Sequence, residues 1–433
     1  MRSPLRPAER LEIYDRHVSG EKLSWIARDM GINYETVRKW WRIGRVEGRG
    51  RLVDRPRKPP RQVLHGVPER VCRRLDVLRR GHPGWGIPYL RQQLLSDAFL
   101  TPEERARVPS LSAIYRYLHA VEDNPFPKKR GSGQIPTTPL VEQALYCHHL
   151  WQMDLKEKCK VRGLPHRVTA ANVRDVHSSV TIASEIFELS RSDSGLTGAD
   201  MQRVCRTCFS EWGLPDVLRT DNGSCFVGTM PQTGFPSYFV LWLRGLGVKH
   251  ETIPKGKVTQ NGCVERYNRT YGSLVLQDGP YENAEELRAV SKLTVDFLNR
   301  CYPSRAGTCR GKPPLHAHPE AKKPRRRYTL RRERKLFSLA RVDEYLSQFK
   351  WSRRADANGR VTLGQNGYHL GRQHRRRVFD VIFDRSDRHF VFRAPDGQVE
   401  LRRPAVGLDA DHILNARASH QRRVRLTEKG SPL

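Results

Sequence analysis

Between Leu150 and Thr270 the chain sets three carboxylates at the edges of three different elements, and any fold must bring those elements together for the set to make sense. In Leu150-Trp151-Gln152-Met153-Asp154-Leu155 the apolar Trp151, Met153 and Leu155 alternate with Gln152 and Asp154, which predicts a strand with Asp154 on the face opposite the buried one. Val217-Leu218-Arg219-Thr220 runs into Asp221-Asn222-Gly223-Ser224, a strand passing into a turn, because Asp-Asn-Gly tolerates the left-handed conformations that turns need. Gln260 to Arg269 reads as the first turns of a helix with Glu265 and Asn268 on one face. Hard divalent cations take oxygen ligands, few of them from protein, and three converging carboxylates supply them. Two such ions can activate an attacking oxygen and stabilise a departing one in a phosphoryl displacement that needs no side-chain nucleophile. Asp154, Asp221 and Glu265 are therefore the candidate catalytic and metal-binding residues. Carboxylates that merely cap turns and helices are commoner, so the ordered set with its flanks carries the reading, not any one residue.

The 433 residues suffice for several domains, each with its own core. A formal net charge of +32 exceeds what a solvated surface requires and points to a polyanionic partner, of which nucleic acid is the most economical. Met1 to Pro7 is polar, contains two prolines and does not resemble a signal peptide. Phe239 to Val248, the longest apolar stretch, is broken by Arg244, so no membrane span is expected. Nine scattered cysteines argue for a reducing compartment rather than a disulfide framework, and the expected location is the cytoplasm, on the nucleoid when bound to DNA.

Ala8 to Val18 and Leu23 to Met30 read as helices, and Asn33 caps a third in which Val37, Trp40 and Trp41 face inward while Tyr34, Glu35, Arg38, Lys39 and Arg42 face out. That is the pattern of a helix-turn-helix, with an ordinary three-helix bundle as the bland alternative. Gly48 to Arg61, which includes Arg55 and Arg57, is rich in Arg, Pro and Gly and reads as an extended linker tracking phosphates or the minor groove. Pro68 to Val121 carries three further helical stripes, the last capped by Ser110 or Ser112 and exposing Arg116. Asn124 to Pro139 is a linker.

Further on, Arg167 to Asp175 and Val180 to Glu188 are expected as strands, and Thr197 to Asp200 as a capping box opening a helix whose apolar stripe includes Cys205 and Cys208. Because both cysteines fall on that stripe and no second Cys-x-x-Cys exists, core packing is favoured and no zinc is expected. Helices near Ser237 to Arg244 and after Asn283, the latter carrying Leu287, Val290, Leu293, Phe297 and Leu298, flank a strand near Val248 to Ile253. Lys322 to Lys335 is a basic run without apolar periodicity, read as a phosphate-binding linker through Arg325, Arg326 and Arg327. From Val361 to Leu401 short strands alternate with turns at Asn366-Gly367 and Pro395-Asp396-Gly397, the pattern of a small β-barrel. The tail after Asp411 is polar and expected to be disordered.

Asp154 on its strand, Thr220-Asp221-Asn222-Gly223, and Lys257 followed by Gln260 to Thr270 resemble the DDE core of retroviral integrases and bacterial insertion-sequence transposases. The Asp-Arg-Pro-rich segment after the first helical unit and the turn Gly81-His82-Pro83-Gly84-Trp85-Gly86 resemble the same transposases, with Ser112 to His119 in a second recognition position. The interval from Asp221 to Glu265 is longer than the family's usual one, and the excess is expected in the loop Phe226 to Pro236. The resemblance implies a multidomain α+β chain: N-terminal helix-turn-helix units, a central ribonuclease H-like α/β core with a mixed five-stranded sheet, and a C-terminal β-barrel that binds DNA. The expected boundaries are 1–47 and 68–123 for the two helical units, 146–303 for the core and 336–408 for the barrel, with linkers 48–67, 124–145 and 304–335 and a tail 409–433. It also implies two Mg²⁺ ions per site, replaceable by Mn²⁺, DNA contacts from Lys257, Asn261, Arg266 and Asn268, and a homo-oligomer on double-stranded DNA that cleaves element ends and joins 3′ ends to a target. The alternatives are a nuclease that cuts without joining and a transposase-derived regulator without catalysis.

Overall fold

A computed structural model describes residues 5–53, 64–121, 144–189, 195–228, 234–253 and 261–415. They fall into two compact units, one formed by residues up to 72 together with 102–125, the other by 73–101 together with the chain from 126 onward.

In the first unit α1 (Pro7–Val18), α2 (Leu23–Asp29) and α3 (Tyr34–Glu47) bury Ile13, Ile26, Ala27 and Val37 against one another. Asn33 caps α3 by accepting a hydrogen bond from the Glu35 N–H at 2.8 Å, as its position before the apolar period predicts. Trp40 is half-buried beneath the Arg10 guanidinium, 4.2 Å from its ring centroid, and Trp41 packs on Tyr14 and His17. The approach of α1 to α3 needs Gly44, where a Cβ would come 2.5 Å from the Tyr14 ring. After α3, α4 (Glu69–Gly81) runs from this unit into the second; α5 (Ile87–Ser96) lies in the second, α6 (Pro102–Ala106) and α7 (Leu111–Val121) in the first. Ser110, not Ser112, caps α7.

The second unit is built on a five-stranded sheet of β1 (Leu150–Cys159), β2 (Arg167–Asp175), β3 (Thr181–Leu189), β4 (Val217–Thr220) and β5 (Lys249–Thr252), in the order β3-β2-β1-β4-β5. The first three strands are antiparallel; β4 and β5 add in parallel, giving the mixed sheet expected. One face of β1 and β2, with Trp151, Met153, Ala171 and Val173, packs on α8 (Gly198–Trp212), whose capping box of Thr197 and Asp200 forms as anticipated. The short helix α9 (Ser224–Val227) and α10 (Tyr238–Gly245) complete that layer, and Trp242, fully buried, alone contributes on the order of 3 kcal/mol of apolar burial. The other face meets α11 (Gly262–Tyr271) and α12 (Ala284–Arg300), in which Leu293, expected inside, is 71% exposed.

Several boundaries differ from the expected ones. Residues 73–101 belong with the sheet rather than with a separate second helical domain. His82 stacks on Trp85 at 3.7 Å and bonds Asp278 at 2.7 Å, Tyr89 packs edge-on against Phe297, and Gly84 sits where a Cβ would come 2.6 Å from the Ser273 carbonyl oxygen. The Gly/Pro/aromatic turn is thus an anchor that only glycine fits. The basic run is no free linker either. It follows α13 (Pro314–Ala317) and the buried Ala321, and within it Tyr328 is buried. In α14 (Glu333–Leu336) the buried Glu333 carboxylate accepts from Arg206, Trp242 and Tyr328.

Beyond α15 (Leu339–Leu346), β6 (Lys350–Arg354), β9 (Val378–Asp384), β10 (His389–Arg393) and β11 (Glu400–Pro404) make an antiparallel sheet in the order β11-β10-β9-β6, while β7 (Arg360–Leu363) and β8 (Asn366–His369) pair separately. Both sheets are open, so the strands form no single closed barrel by their pairing. The β7–β8 turn is Gly364-Gln365, with Gly364 at φ +59°, and Asn366-Gly367 lie within β8 instead. Phe235 packs at tilted angles against Trp351 and Phe390, so these sheets share one hydrophobic cluster with the core. The start of the tail is ordered as α16 (Ala410–Leu414), with Ile413 and Leu414 buried.

Candidate active site

Three elements deliver the three carboxylates to one end of the mixed sheet. In the parallel pairing of β1 with β4 the last partners are Gln152 and Arg219; Asp154 and Asp221 each lie two residues further along. Asp221 leaves the sheet as Thr220 ends β4, and its Oδ1 accepts from the Gly223 N–H at 2.9 Å, which fixes the carboxylate on the turn. Asn222 donates to the Ile253 carbonyl at 2.7 Å, and Thr220 Oγ1 donates to the Asp221 carbonyl while lying 3.0 Å from His250 Nε2. Burial pushes the His250 imidazole down to about 4, so it is neutral and its Nε2–H serves as the donor to Thr220.

Glu265 lies in the first turn of α11, half-buried, with Asn268 one turn on. The Val264 N–H donates to Gln152 Oε1 at 3.2 Å, joining the start of this helix to β1 on the face that carries Asp154. Asn268 donates to Asp154 Oδ2, and Asn172, directly opposite Asp154 across β1 and β2, donates to Asn268 Oδ1 at 2.6 Å. Asn172 is wholly buried, so this relay is shielded from water and fixes the carboxylate against the sheet.

Burial raises the Asp154 carboxyl to about 6, the nearby charges of Asp221 and then Glu265 add to the rise, and the Leu155 N–H and Asn268 amide oppose it. Burial also raises Glu265, against the pull of Arg269. The charges of Asp221 and Glu265 thus bear on Asp154 where burial already disfavours its anion. The carboxylates are nonetheless spread out: among the described residues, the one trio of ligand atoms all within 4.8 Å of one another is Cys147, His177 and His318.

The residues expected to touch DNA do not all reach the surface. Tyr34, Arg38, Lys39 and Arg42 share the exposed side of α3, and Arg116, Arg266, Arg325 and Arg327 are exposed. Asn261 and Asn268 are buried, and Asn268 holds Asp154 rather than facing solvent. Arg326 is tied to the core by bonds to the Pro215 and Leu246 carbonyls at 2.9 and 2.7 Å. Arg55, Arg57 and Lys257 lie outside the described residues. Sequence reasoning missed Gln152 and Asn172; the available signal was a lone amide in the apolar run Val168 to Val173.

Residues 9–60 match the helix-turn-helix domain family. An insertion element IS476 uncharacterized 39.2 kDa protein from Xanthomonas euvesicatoria is 22% identical over 268 residues, covering 57% of this chain and 72% of the relative. Among solved structures, the HTLV-2 integrase catalytic core domain in complex with magnesium is 20% identical, with 40% of this chain and 99% of that chain covered and a TM-score of 0.30. A simian T-cell lymphotropic virus intasome in complex with the PP2A regulatory subunit B56 gamma is 13% identical over 72% of this chain and 96% of that one, with a TM-score of 0.33. The helix-turn-helix match and the insertion-element relative accord with a DNA-binding protein of a mobile element.

Proposed function

We propose that this chain is a DDE transposase with a ribonuclease H-like core, which binds the ends of a mobile DNA element, cleaves them and joins the 3′ ends to target DNA. The carrying observation is the approach of Asp221 from the end of β4 and Glu265 from α11 to Asp154 on β1, held by the Asn268, Gly223 and Val264 hydrogen bonds, with the Asp154 carboxyl raised by burial and by the other two charges. A donor set made of oxygen alone, in which each anion raises the cost of ionising Asp154, fits a hard divalent ion such as Mg²⁺ or Mn²⁺. When bound, a pair of such ions polarises the phosphate and stabilises charge on the attacking and departing oxygens.

The chain's own residues supply the rest. Asp154, Asp221 and Glu265 would hold the ions, with Asn268 orienting Asp154 from behind and the Gly223 N–H orienting Asp221. Attack by water or a 3′-hydroxyl needs no nucleophile from the protein. The exposed side of α3 would enter the major groove, since Tyr34, Arg38, Lys39 and Arg42 combine base-edge and phosphate chemistry. The +32 net charge supports DNA contacts well beyond that helix.

A labelled duplex carrying the inverted repeat that flanks the gene, incubated with the full chain and Mg²⁺, tests this reading. Cleavage at the repeat followed by joining to a second duplex is expected. Binding without cleavage would make the protein a regulator, and cleavage that never yields joined product would make it a nuclease.

A further inference from the structure

Outside the carboxylate site, a second constellation of ligating groups lies at the opposite end of β1. Cys147 precedes that strand, His177 follows β2 and His318 follows α13, so three segments distant in sequence converge. One ligand atom from each lies within 4.8 Å of the other two. The spacing suits the corners of a tetrahedron around a single metal ion. We infer that Cys147, His177 and His318 form a structural site for a zinc-class divalent ion.

The protonation pattern of the two imidazoles supports this assignment. His177 Nδ1 lies 2.9 Å from the Ala144 carbonyl and so is the N–H donor there, which leaves Nε2 as a lone-pair ligand. His318 Nδ1 lies 3.0 Å from Glu320 Oε1, an arrangement of carboxylate, imidazole and metal that sets the tautomer and raises ligand basicity. Its Nε2 is buried and has no hydrogen-bond partner among the described residues. A buried ring nitrogen without a partner is costly, and a metal bond removes that cost. The same Glu320 oxygen accepts from Cys147 Sγ at 3.4 Å, so one carboxylate backs both the thiol and the His318 ring, and the fourth place is left to water.

The surroundings hold the three segments in place. Asp175, fully buried, accepts from the His148 N–H at 2.9 Å and from the Ser178 N–H at 2.9 Å, locking the residues next to Cys147 and His177 to one carboxylate. His148 Nε2 bonds the Ala321 carbonyl at 2.7 Å, and Thr308 Oγ1 donates to the His177 carbonyl at 2.7 Å. A thiolate with two imidazoles selects zinc over the hard ions that the carboxylate trio takes. The site would clamp the chain entering β1 to the segment that follows α12.

Co²⁺ titration of the full-length protein, followed by absorbance, tests the inference. One equivalent should saturate a thiolate-to-cobalt charge-transfer band that Zn²⁺ abolishes. Cys147→Ser should remove the band, and His177→Ala should weaken Co²⁺ binding by more than about tenfold, since losing even a hydrogen-bond partner of a ligand costs about that much. Asp154→Asn should leave the band intact. Absence of the band in the parent protein, or its persistence in Cys147→Ser, overturns the site. Should Cys147→Ser fail to fold by circular dichroism, the half-buried His177→Ala decides alone, and unchanged Co²⁺ affinity there rejects the assignment.

Discussion

The Asn268 side chain donates a hydrogen bond to Asp154 Oδ2 from 114 residues further along the chain, joining α11 to β1 at the candidate site. That bond favours the ionised carboxylate, whereas burial and the charges of Asp221 and Glu265 oppose it. Asn268 thus keeps Asp154 available as a ligand near neutral pH.

Asn268→Ala should raise the Asp154 pKa further above about 6, because the removed bond lowered it. Mg²⁺-dependent cleavage, which requires the anion, should then fail at higher pH in the variant than in the parent, with a rate loss of about ten- to a hundredfold near neutrality. A pH series of cleavage at fixed Mg²⁺ checks the direction. An unshifted acid limb would remove Asn268 from this role.

His250 predicts a pH dependence of stability. Its folded value of about 4 lies below the ordinary 6.5 because the buried ring resists protonation. The unfolded chain therefore takes up this proton first, and stability is lost as pH falls from about 6.5 toward 4, by on the order of 2–3 kcal/mol for this group. Urea midpoints measured across that range should drop less in His250→Gln than in the parent.

Glu333 offers a stability test remote from the site. It accepts from Arg206, Trp242 and Tyr328 in a buried pocket, so Glu333→Ala leaves a guanidinium and two further donors without their acceptor. A loss of about 3 kcal/mol in denaturant unfolding is expected. A change within half a kcal/mol would mean that these groups rehydrate freely.

The sequence exposed the carboxylates because each sits where local pattern is strong: an alternating strand, an Asp-Asn-Gly turn and a helix start. The five strands and the Asn33, Thr197 and Asn283 caps were legible for the same reason. What escaped is non-local. Asn172 matters through its register opposite Asp154, and Cys147, His177 and His318 meet only once β1, β2 and the segment after α13 are placed. Charge dominates the composition of Lys322 to Lys335, so its pattern does not reveal that Tyr328 and Glu333 dock it onto the core. Local preference favours a turn at Asn366-Gly367, but Gly364 lets β7 turn two residues earlier.

Recognition should be separable from chemistry. Arg38→Ala or Lys39→Ala on the exposed side of α3 should reduce the preference for element ends over random DNA by about 1–3 kcal/mol if that residue contacts a base. Competition binding measures it. An unchanged footprint on the ends after deletion of residues 1–60 would contradict the role given to this domain.

Glu265→Gln tests the central claim most directly. The substitution preserves size and helix preference while removing one negative charge from the trio, so joining of a labelled end duplex in Mg²⁺ should be lost. End binding should remain, with its affinity falling roughly a thousandfold or more between 50 and 200 mM salt, as in the parent, if about six to ten phosphates are contacted. Normal joining by Glu265→Gln, with the fold intact, would contradict the assignment of the three carboxylates as the catalytic centre.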